Sequence, residues 1–244
     1  MITLGLDPSF KSYGWAIHDS SAIGRARRIA SGHEGTLSDI VPVARYLHFQ
    51  SFVEDLLRKF PEIKAVGIES PAFEAGPFQS IHFGLMMFSQ IPVFEYRKDL
   101  VLYDPTTLKY LAKEDPKKKK GMMSKADMQR AVQLDTMDTK VIDNNEADAY
   151  LIALYTARFL EMNSGNVDPK NLTPSEFAVF LGRKRKVKTV AGDKVKRIAH
   201  AFRANSRYYQ FSSVPRGSVK LPKKNSIDPI LLKFLEDLES SDAK

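Results

Sequence analysis

Three acidic residues at the ends of apolar runs constrain this chain more than any other feature of its sequence. Asp7 and Glu69 each close a run that predicts a β-strand, and Asp148 stands at the start of an apolar stretch that predicts a helix. Burying an unpaired carboxylate is energetically expensive. Three of them in comparable positions therefore indicate that something positive lies between their side chains. A pair of hard divalent cations, which prefer oxygen ligands, meets that requirement.

Each acid also has an ordinary structural interpretation. Asp7 could cap a turn and Glu69 could simply end its strand. Asp143 could be the N-cap of the last long helix, and we favour that role for it. Asp148 is harder to explain in this way, because an apolar helix face follows it. Taken together, the acids favour a functional cluster.

The composition excludes several classes of site. The 244 residues include no cysteine, which excludes disulfides, thiolate chemistry and zinc-cysteine sites. A hydrophobic share of 43% is enough for a real core. No apolar run approaches the roughly 18 residues that span a bilayer, and the first residues lack the features of a secretory signal. We therefore expect an intracellular, cytoplasmic protein with no membrane partner.

Positive charge is concentrated towards the C-terminus. Residues 1–164 hold 20 Lys and Arg against 21 Asp and Glu, whereas residues 165–212 hold 11 against 3. Such a segment predicts a polyanionic partner, most simply nucleic acid. An anionic membrane surface is the weaker alternative, because no amphipathic Leu/Trp face accompanies the charges. We expect a folded body over 1–164 and a basic extension over 165–244.

Hydrophobic periodicity predicts an α/β protein whose sheet begins antiparallel and is flanked by helices. Strands are expected at 2–7, 13–18, 26–31, 64–69, 93–96 and 101–103, and helices at 38–59, 78–90, 106–112, 124–134, 145–162 and 173–181. Pro92 is expected to end the second helix. Ser124 is expected to cap the fourth helix, with Asp127 in the place of the usual Glu.

Four short motifs follow one another along the body. They are Gly5-Leu-Asp-Pro-Ser, Tyr13-Gly-Trp-Ala-Ile, Gly67-Ile-Glu-Ser-Pro and Asn145-Glu-Ala-Asp-Ala-Tyr-Leu-Ile-Ala-Leu. In order and spacing they resemble the RuvC-like Holliday junction resolvases of the RNase H-like superfamily, over residues 1 to about 162. The resemblance implies an RNase H-like mixed five-stranded sheet flanked by helices, followed in this chain by the basic C-terminal extension.

The resemblance also implies a metal site. Asp7, Glu69 and Asp148 would bind two Mg²⁺ ions, for which Mn²⁺ can substitute. The family's fourth acid lies three residues before the last one, where this chain has Asn145. We expect Glu146 to replace it, with Asp143 behind it as a further metal ligand.

Contacts with the substrate follow from the same resemblance. Lys109 and Lys125 match two supporting lysines, which could offset charge at the scissile phosphate; each could equally be a solvated surface residue. Phe73 stands one residue later than the family's aromatic wedge at the DNA branch point, and could instead anchor its loop. The loop that contains Lys117, Lys118, Lys119 and Lys120 is expected to contact phosphates near the cleft.

The helix predicted at 78–90 is rich in Phe and Met, a composition typical of a core helix. In the resolvases an equivalent helix helps to form a dimer. Phe83, Met87 and Phe88 could therefore serve both the core and a homodimer interface.

Cations and aromatics alternate beyond residue 182, which suits phosphate contacts and stacking on exposed bases. The predicted DNA-binding residues of this extension are Arg183, Lys184, Arg185, Lys186, Lys188, Lys196 and Arg197. A nuclear localisation signal is a formal alternative for 183–188. The pattern assigns no fold to the extension, which could become ordered only on DNA.

We therefore expect a Mg²⁺-dependent endonuclease of phage or bacterial type that cuts branched DNA, above all Holliday junctions, as a homodimer. One alternative is an RNase H-like nuclease acting on RNA or RNA–DNA hybrids. A second is a non-catalytic, junction-binding architectural protein on a decayed nuclease fold, for which Asn145 is the only warning. A sugar-kinase-like ATPase would need Gly-rich phosphate loops, which the sequence lacks.

Overall fold

The computed structural model describes residues 1–9, 12–35, 41–70, 79–103, 105–112, 124–140, 142–168, 171–180, 196–203 and 210–216, the last two as backbone. These ranges contain seven strands: β1 (Ile2–Asp7), β2 (Ser12–Asp19), β3 (Arg28–Gly35), β4 (Ala65–Glu69), β5 (Asp99–Tyr103), β6 (Lys196–Arg203) and β7 (Gln210–Arg216). They also contain six α-helices: α1 (Pro42–Lys59), α2 (Gln79–Glu95), α3 (Pro105–Leu111), α4 (Lys125–Thr136), α5 (Asn144–Asn163) and α6 (Pro174–Phe180).

All seven strands form one mixed sheet in the order β3-β2-β1-β4-β5-β6-β7. The first three strands pair antiparallel, whereas β4 pairs parallel with β1, and β5 parallel with β4. The predicted five-stranded mixed sheet and its antiparallel start are therefore confirmed. Two strands from the basic extension lengthen it, because β6 pairs antiparallel with β5, and β7 with β6. The division at residue 164 stays a prediction.

Helices cover both faces of the sheet, as expected for an α/β fold. Leu4 and Leu6 of β1 belong to a core cluster shared with α1 and α2. The intervening residues of β1 face α5, since side chains alternate along a strand, and the Thr3 hydroxyl donates to the Ala153 carbonyl of α5 at 2.8 Å. Asp7 continues this series and lies on the α5 face at the end of the strand.

Three glycines allow α5 to lie directly on the sheet. A Cβ atom at Gly5 would overlap the Ala149 carbonyl oxygen, and one at Gly14 would overlap the backbone of Asn145. A Cβ atom at Gly67 of β4 would overlap the Thr156 hydroxyl. Because Gly5 and Gly67 each stand two residues before an acid on the same strand face, the close approach of α5 also brings this helix to the acids.

Both helix caps predicted near the acids are confirmed. Ser124 accepts a hydrogen bond from the Asp127 backbone N–H, and the Asp127 carboxylate accepts one from the Ser124 N–H, which completes a capping box on α4. Asp143 is the N-cap of α5, and its side chain accepts from the Asn145 N–H at 2.8 Å. These caps fix where α4 and α5 begin.

Two local predictions were wrong. Pro92 does not end α2, which continues to Glu95, and the strand expected at 93–96 is its last turn. A proline within a helix costs one backbone hydrogen bond, and here the burial of Val93 in the core compensates for that loss. The helix ends where Arg97 adopts a left-handed φ of 51°. The third strand also begins later than expected, after a 3₁₀ turn at Gly24–Arg27.

A candidate active site of acidic residues

Asp7 and Glu69 lie side by side at one edge of the sheet. They end β1 and β4, and the parallel register of these strands pairs Leu6 with Ile68, one residue before each acid. The carboxyl ends of adjacent parallel strands meet at the same edge, so the two side chains converge. They lie close enough that each contributes to the shift in the other's pKa.

Asp148 approaches the same edge from α5. It lies one turn into the helix that Asp143 caps, and its negative charge raises the pKa of both Asp7 and Glu69. Residues from two strands and one helix therefore interact electrostatically at this edge. The physical cause is the close packing of α5 against Gly5 of β1.

All three carboxyl groups hold protons more tightly than isolated acids do. Burial, followed by the Asp148 charge, raises the pKa of Asp7 to about 7. Burial and the Asp7 charge raise the pKa of Glu69 well above its usual range. Burial raises the pKa of Asp148 to about 6. Like charges in a partly desolvated site explain these directions, and a cluster of this kind needs protons or cations to be stable.

Two lysines supply part of the opposing charge. Lys109 of α3 lowers the pKa of Asp7, Glu69 and Asp148, so its ammonium group acts on the whole cluster. Lys125, the first residue of α4, acts on Asp148. The structure therefore places both sequence-predicted lysines near the acids.

Asp7 and Glu69 open onto a cavity of about 280 Å³ at the sheet edge. Its lining comprises Asp7, Pro8, Ser9, Glu69, Ser70, His82, Pro105 and Asn145. His82 was not predicted from the sequence, although an ionisable residue in the Phe- and Met-rich α2 was a usable signal. Asn145, the departure from the resolvase pattern, is one of the residues that line this cavity.

Glu146, predicted to replace the missing acid, makes its contacts on β3. The Ser31 hydroxyl donates to its carboxylate at 2.8 Å, and the His33 ring nitrogen lies 3.7 Å from the other carboxylate oxygen. Neither Glu146 nor Asp148 lines the cavity beside Asp7 and Glu69, whereas Asn145 does. Asp143 uses one carboxylate oxygen for the helix cap and adds its negative charge to the field at Asp7 and Asp148.

The donor chemistry of the cluster suits a hard cation. The carboxylate oxygens of Asp7, Glu69 and Asp148 are of the type that Mg²⁺ prefers, and Asn145 lines the same cavity as Asp7 and Glu69. Within the described ranges, no three acidic or histidine side chains are close enough to form a ready-made metal cage. The residues fit a divalent ion by type, although burial raises the pKa of both Asp7 and Glu69.

Several predicted contact residues lie outside the described residues. They are Phe73, Lys117, Lys118, Lys119, Lys120, Arg183, Lys184, Arg185, Lys186 and Lys188. Lys196 and Arg197 fall on β6, where the backbone positions are described.

The apolar residues of α2 divide between the core and the surface. Phe83 and Met87 are 53% and 45% exposed, whereas Phe88 is half-buried against the Tyr46 ring at a centroid distance of 5.2 Å. Across the part of the chain that the structure describes, no helix combines the length and apolarity needed to cross a bilayer.

A larger cavity of about 450 Å³ lies at the opposite end of α5. Its charged residues are paired, since Arg27 bonds Asp135, Arg158 bonds Glu176, and Glu161 lies 3.6 Å from the N-terminal ammonium group. His18 also lines it, and neither of its ring nitrogens has a hydrogen-bond partner among the described residues. Because its charges are already balanced, this cavity is a weaker candidate for cation chemistry than the acidic one, despite its size.

Comparison with solved structures relates the fold to known proteins. Neither a protein-family model nor a curated protein matches the chain. The structure is similar to Thermus thermophilus RuvC, with a TM-score of 0.57 and 18% identity, and to T. thermophilus RuvC in complex with a Holliday junction substrate, with a TM-score of 0.56 and 18% identity. Each match covers 67% of this chain and 97% of the other. The resemblance inferred from four motifs is thus confirmed for the fold, which is that of RuvC.

Proposed function

We propose that this chain is a metal-dependent endonuclease that cuts Holliday junctions and other branched DNA. The observation that carries the proposal is the meeting of Asp7, Glu69 and Asp148 at one edge of a RuvC-like sheet. The similar T. thermophilus protein has been seen with a Holliday junction substrate, which favours branched DNA as the substrate of this chain. The basic extension is consistent with such a polyanion.

Asp7, Glu69 and Asp148 would hold the metal, with Asn145 as a neutral oxygen donor in the fourth position. Bound Mg²⁺ ions would supply Lewis-acid activation of the attacking water and stabilisation of the leaving 3′ oxygen. To bind them, Asp7 and Glu69 must be ionised, and because burial raises the pKa of both carboxyls, neutral to alkaline pH should favour activity. Glu146, held by Ser31 and His33, would position the start of α5.

Lys109 would interact with the scissile phosphate as well as with the acidic cluster. Its ammonium group lies close enough to act on all three acids, and it would offset negative charge that develops on the phosphate during cleavage. Lys125 would do the same on the Asp148 side. Phe73 and the lysines at 117–120 remain predicted contacts with the branch point and the backbone.

A homodimer would allow two cuts in one junction. Phe83 and Met87 form an exposed apolar pair one helical turn apart on α2, and exposed apolar surface of this kind marks interaction sites. We infer that α2 contributes to the dimer interface, and that the protein acts in the cytoplasm of a bacterial cell or of a phage-infected host.

The test is cleavage of a synthetic four-way junction beside a sequence-matched duplex and an RNA–DNA hybrid, with and without Mg²⁺. We expect paired, Mg²⁺-dependent nicks in the junction, which Asp7→Asn should abolish. Cutting of the hybrid alone would identify an RNase H-type enzyme. Tight junction binding without any cutting would identify a non-catalytic junction-binding protein.

A further inference from the structure

The strands β6 and β7 carry basic residues to the edge of the sheet where the acids lie. β5 runs parallel to β1 and β4, so its last residue, Tyr103, reaches the same edge as Glu69, with which it pairs. β6 runs antiparallel to β5 and pairs Ala199 with Tyr103. The residues that precede Ala199 therefore continue past the end of β5, at the acidic edge.

Those residues are cationic. Lys196 and Arg197 begin β6, and the register pairs Lys196 with Arg216, the last residue of β7. Across 196–203 and 210–216 the sequence has four Lys or Arg and no Asp or Glu, and three of the four stand at this one end. The fourth, Arg203, ends β6 at the opposite edge of the sheet.

The separation between the two groups suits a nucleic-acid strand. Two strand spacings of about 4.8 Å separate β4 from β6, and Arg197 lies two residues, about 7 Å, beyond Ala199. Its backbone is thus about 12 Å from that of Glu69, which corresponds to three or four nucleotides at about 3.4 Å each. A chain that crosses the acids would meet these cations a few phosphates from the scissile one.

We infer that the β6–β7 hairpin is a phosphate-binding extension of the nuclease sheet, in which Lys196, Arg197 and Arg216 hold the DNA backbone beside the cleavage site. The inference rests on the proposed function. Arg216 lies 19 positions after Arg197 in the sequence, and only the strand register shows that it belongs to the same group of cations. Pro215 also fits an outer strand, since β7 has one paired neighbour in the described sheet.

The experiment compares two triple variants that remove equal charge from opposite edges. Lys196→Gln, Arg197→Gln and Arg216→Gln are combined in one protein. The matched control combines Arg203→Gln with Lys64→Gln and Lys98→Gln, because these two lysines directly precede β4 and β5 at the far edge. Both are made in an Asp7→Asn background, and binding to a four-way junction is measured over a range of salt concentrations.

We expect the first triple variant to bind at least about tenfold more weakly at moderate salt. The slope of log K against log[salt] should fall by about 0.9 for each phosphate that the variant no longer neutralises, or about 2 to 3 in total. The control should bind as its Asp7→Asn parent does. If the triple variant has a lower melting temperature than its parent, single variants replace it. Arg216→Gln should then lower the slope by about 1, and Arg216→Lys should retain it.

An unchanged slope in the hairpin variant, or an equal change in the far-edge control, would overturn the inference. Cleavage by the wild-type protein separates this outcome from failure of the proposed function. A wild-type protein that cuts junctions, beside a hairpin variant that binds them normally, refutes the hairpin alone. A wild-type protein that neither binds nor cuts branched DNA refutes both.

Discussion

Replacing Asp7 with Asn should stabilise the metal-free fold at alkaline pH while it abolishes cleavage. Burial and the Asp148 charge raise the pKa of Asp7 from the ordinary value of 3.8 to about 7. Between these values the folded state keeps a proton that the unfolded state has lost, so the free energy of unfolding falls as pH rises through this window. The full pKa difference corresponds to about 4 kcal/mol. Because Asp7 lines an open cavity, water screens part of this cost, and we expect about 1–3 kcal/mol.

The assay is urea unfolding of both proteins with EDTA at several pH values. The stability difference should be small near pH 4 and should reach about 1–3 kcal/mol in favour of Asp7→Asn by about pH 8. Titrating groups outside the acid cluster, His18 among them, are common to both proteins and largely cancel in the difference. Added Mg²⁺ should stabilise the wild-type protein, because a ligand that binds only the folded state adds to its stability. Asp7→Asn should respond weakly.

Asp55→Asn is the matched control, because the Asp55 side chain is 70% exposed on α1 and pairs with Arg58 at the surface. Its stability difference should stay within about 0.5 kcal/mol at every pH. A pH-independent difference between Asp7→Asn and the wild-type protein would refute the reasoning. It would mean that neither burial nor the neighbouring acids raise the pKa of Asp7 in the folded state.

Three further perturbations test the packing and the assembly. Gly5→Ala should lower the free energy of unfolding by about 1–3 kcal/mol and reduce cleavage, because the added methyl group pushes α5 off β1. Gly35→Ala is the control, because a methyl group there meets open space. Equal stability of the two variants in urea would contradict this account. Burial lowers the pKa of His18 to about 4, so this residue alone should destabilise the wild-type protein, relative to His18→Gln, by up to about 3 kcal/mol as pH falls from 6.5 to about 4. Urea titrations of the two proteins measure that difference, and a difference that does not change with pH would contradict the account. The double variant Phe83→Asp, Met87→Asp should be a monomer in light scattering and should stay folded, because both side chains are exposed on α2. A wild-type protein that is already monomeric would contradict the proposed α2 interface.

Much of the site was predictable because its residues lie where local patterns are strongest. Asp7 and Glu69 end apolar runs, and strands buried on both faces are read from such runs. The Ser124 capping box and the Asp143 cap follow from side-chain chemistry within three residues of each helix start. Interactions this local depend little on the rest of the fold, so neighbouring residues in the sequence specify them.

Sequence patterns are least informative where distant contacts decide the outcome: the end of α2 was predicted wrongly, and the role of Glu146 as the fourth acid stays a prediction. Pro92 stays inside α2 because the core buries the residue that follows it, and no pattern within the helix reports that burial. Asn145 and Glu146 are adjacent on α5, so they point about 100° apart. Which of the two faces the acids depends on how α5 is rotated against the sheet, a property of packing that the motif does not contain.

Periodicity, capping and composition are local, and they were enough to predict most element types, the order of the acids and the concentration of charge in the extension. Only the tertiary structure shows that Gly5, Gly14 and Gly67 together form the surface on which α5 packs. It was also needed to show that β6 joins the sheet beside β5, which brings the extension to the acidic edge. Strand pairing joins residues about a hundred positions apart, and its register depends on backbone hydrogen bonds that no single segment encodes.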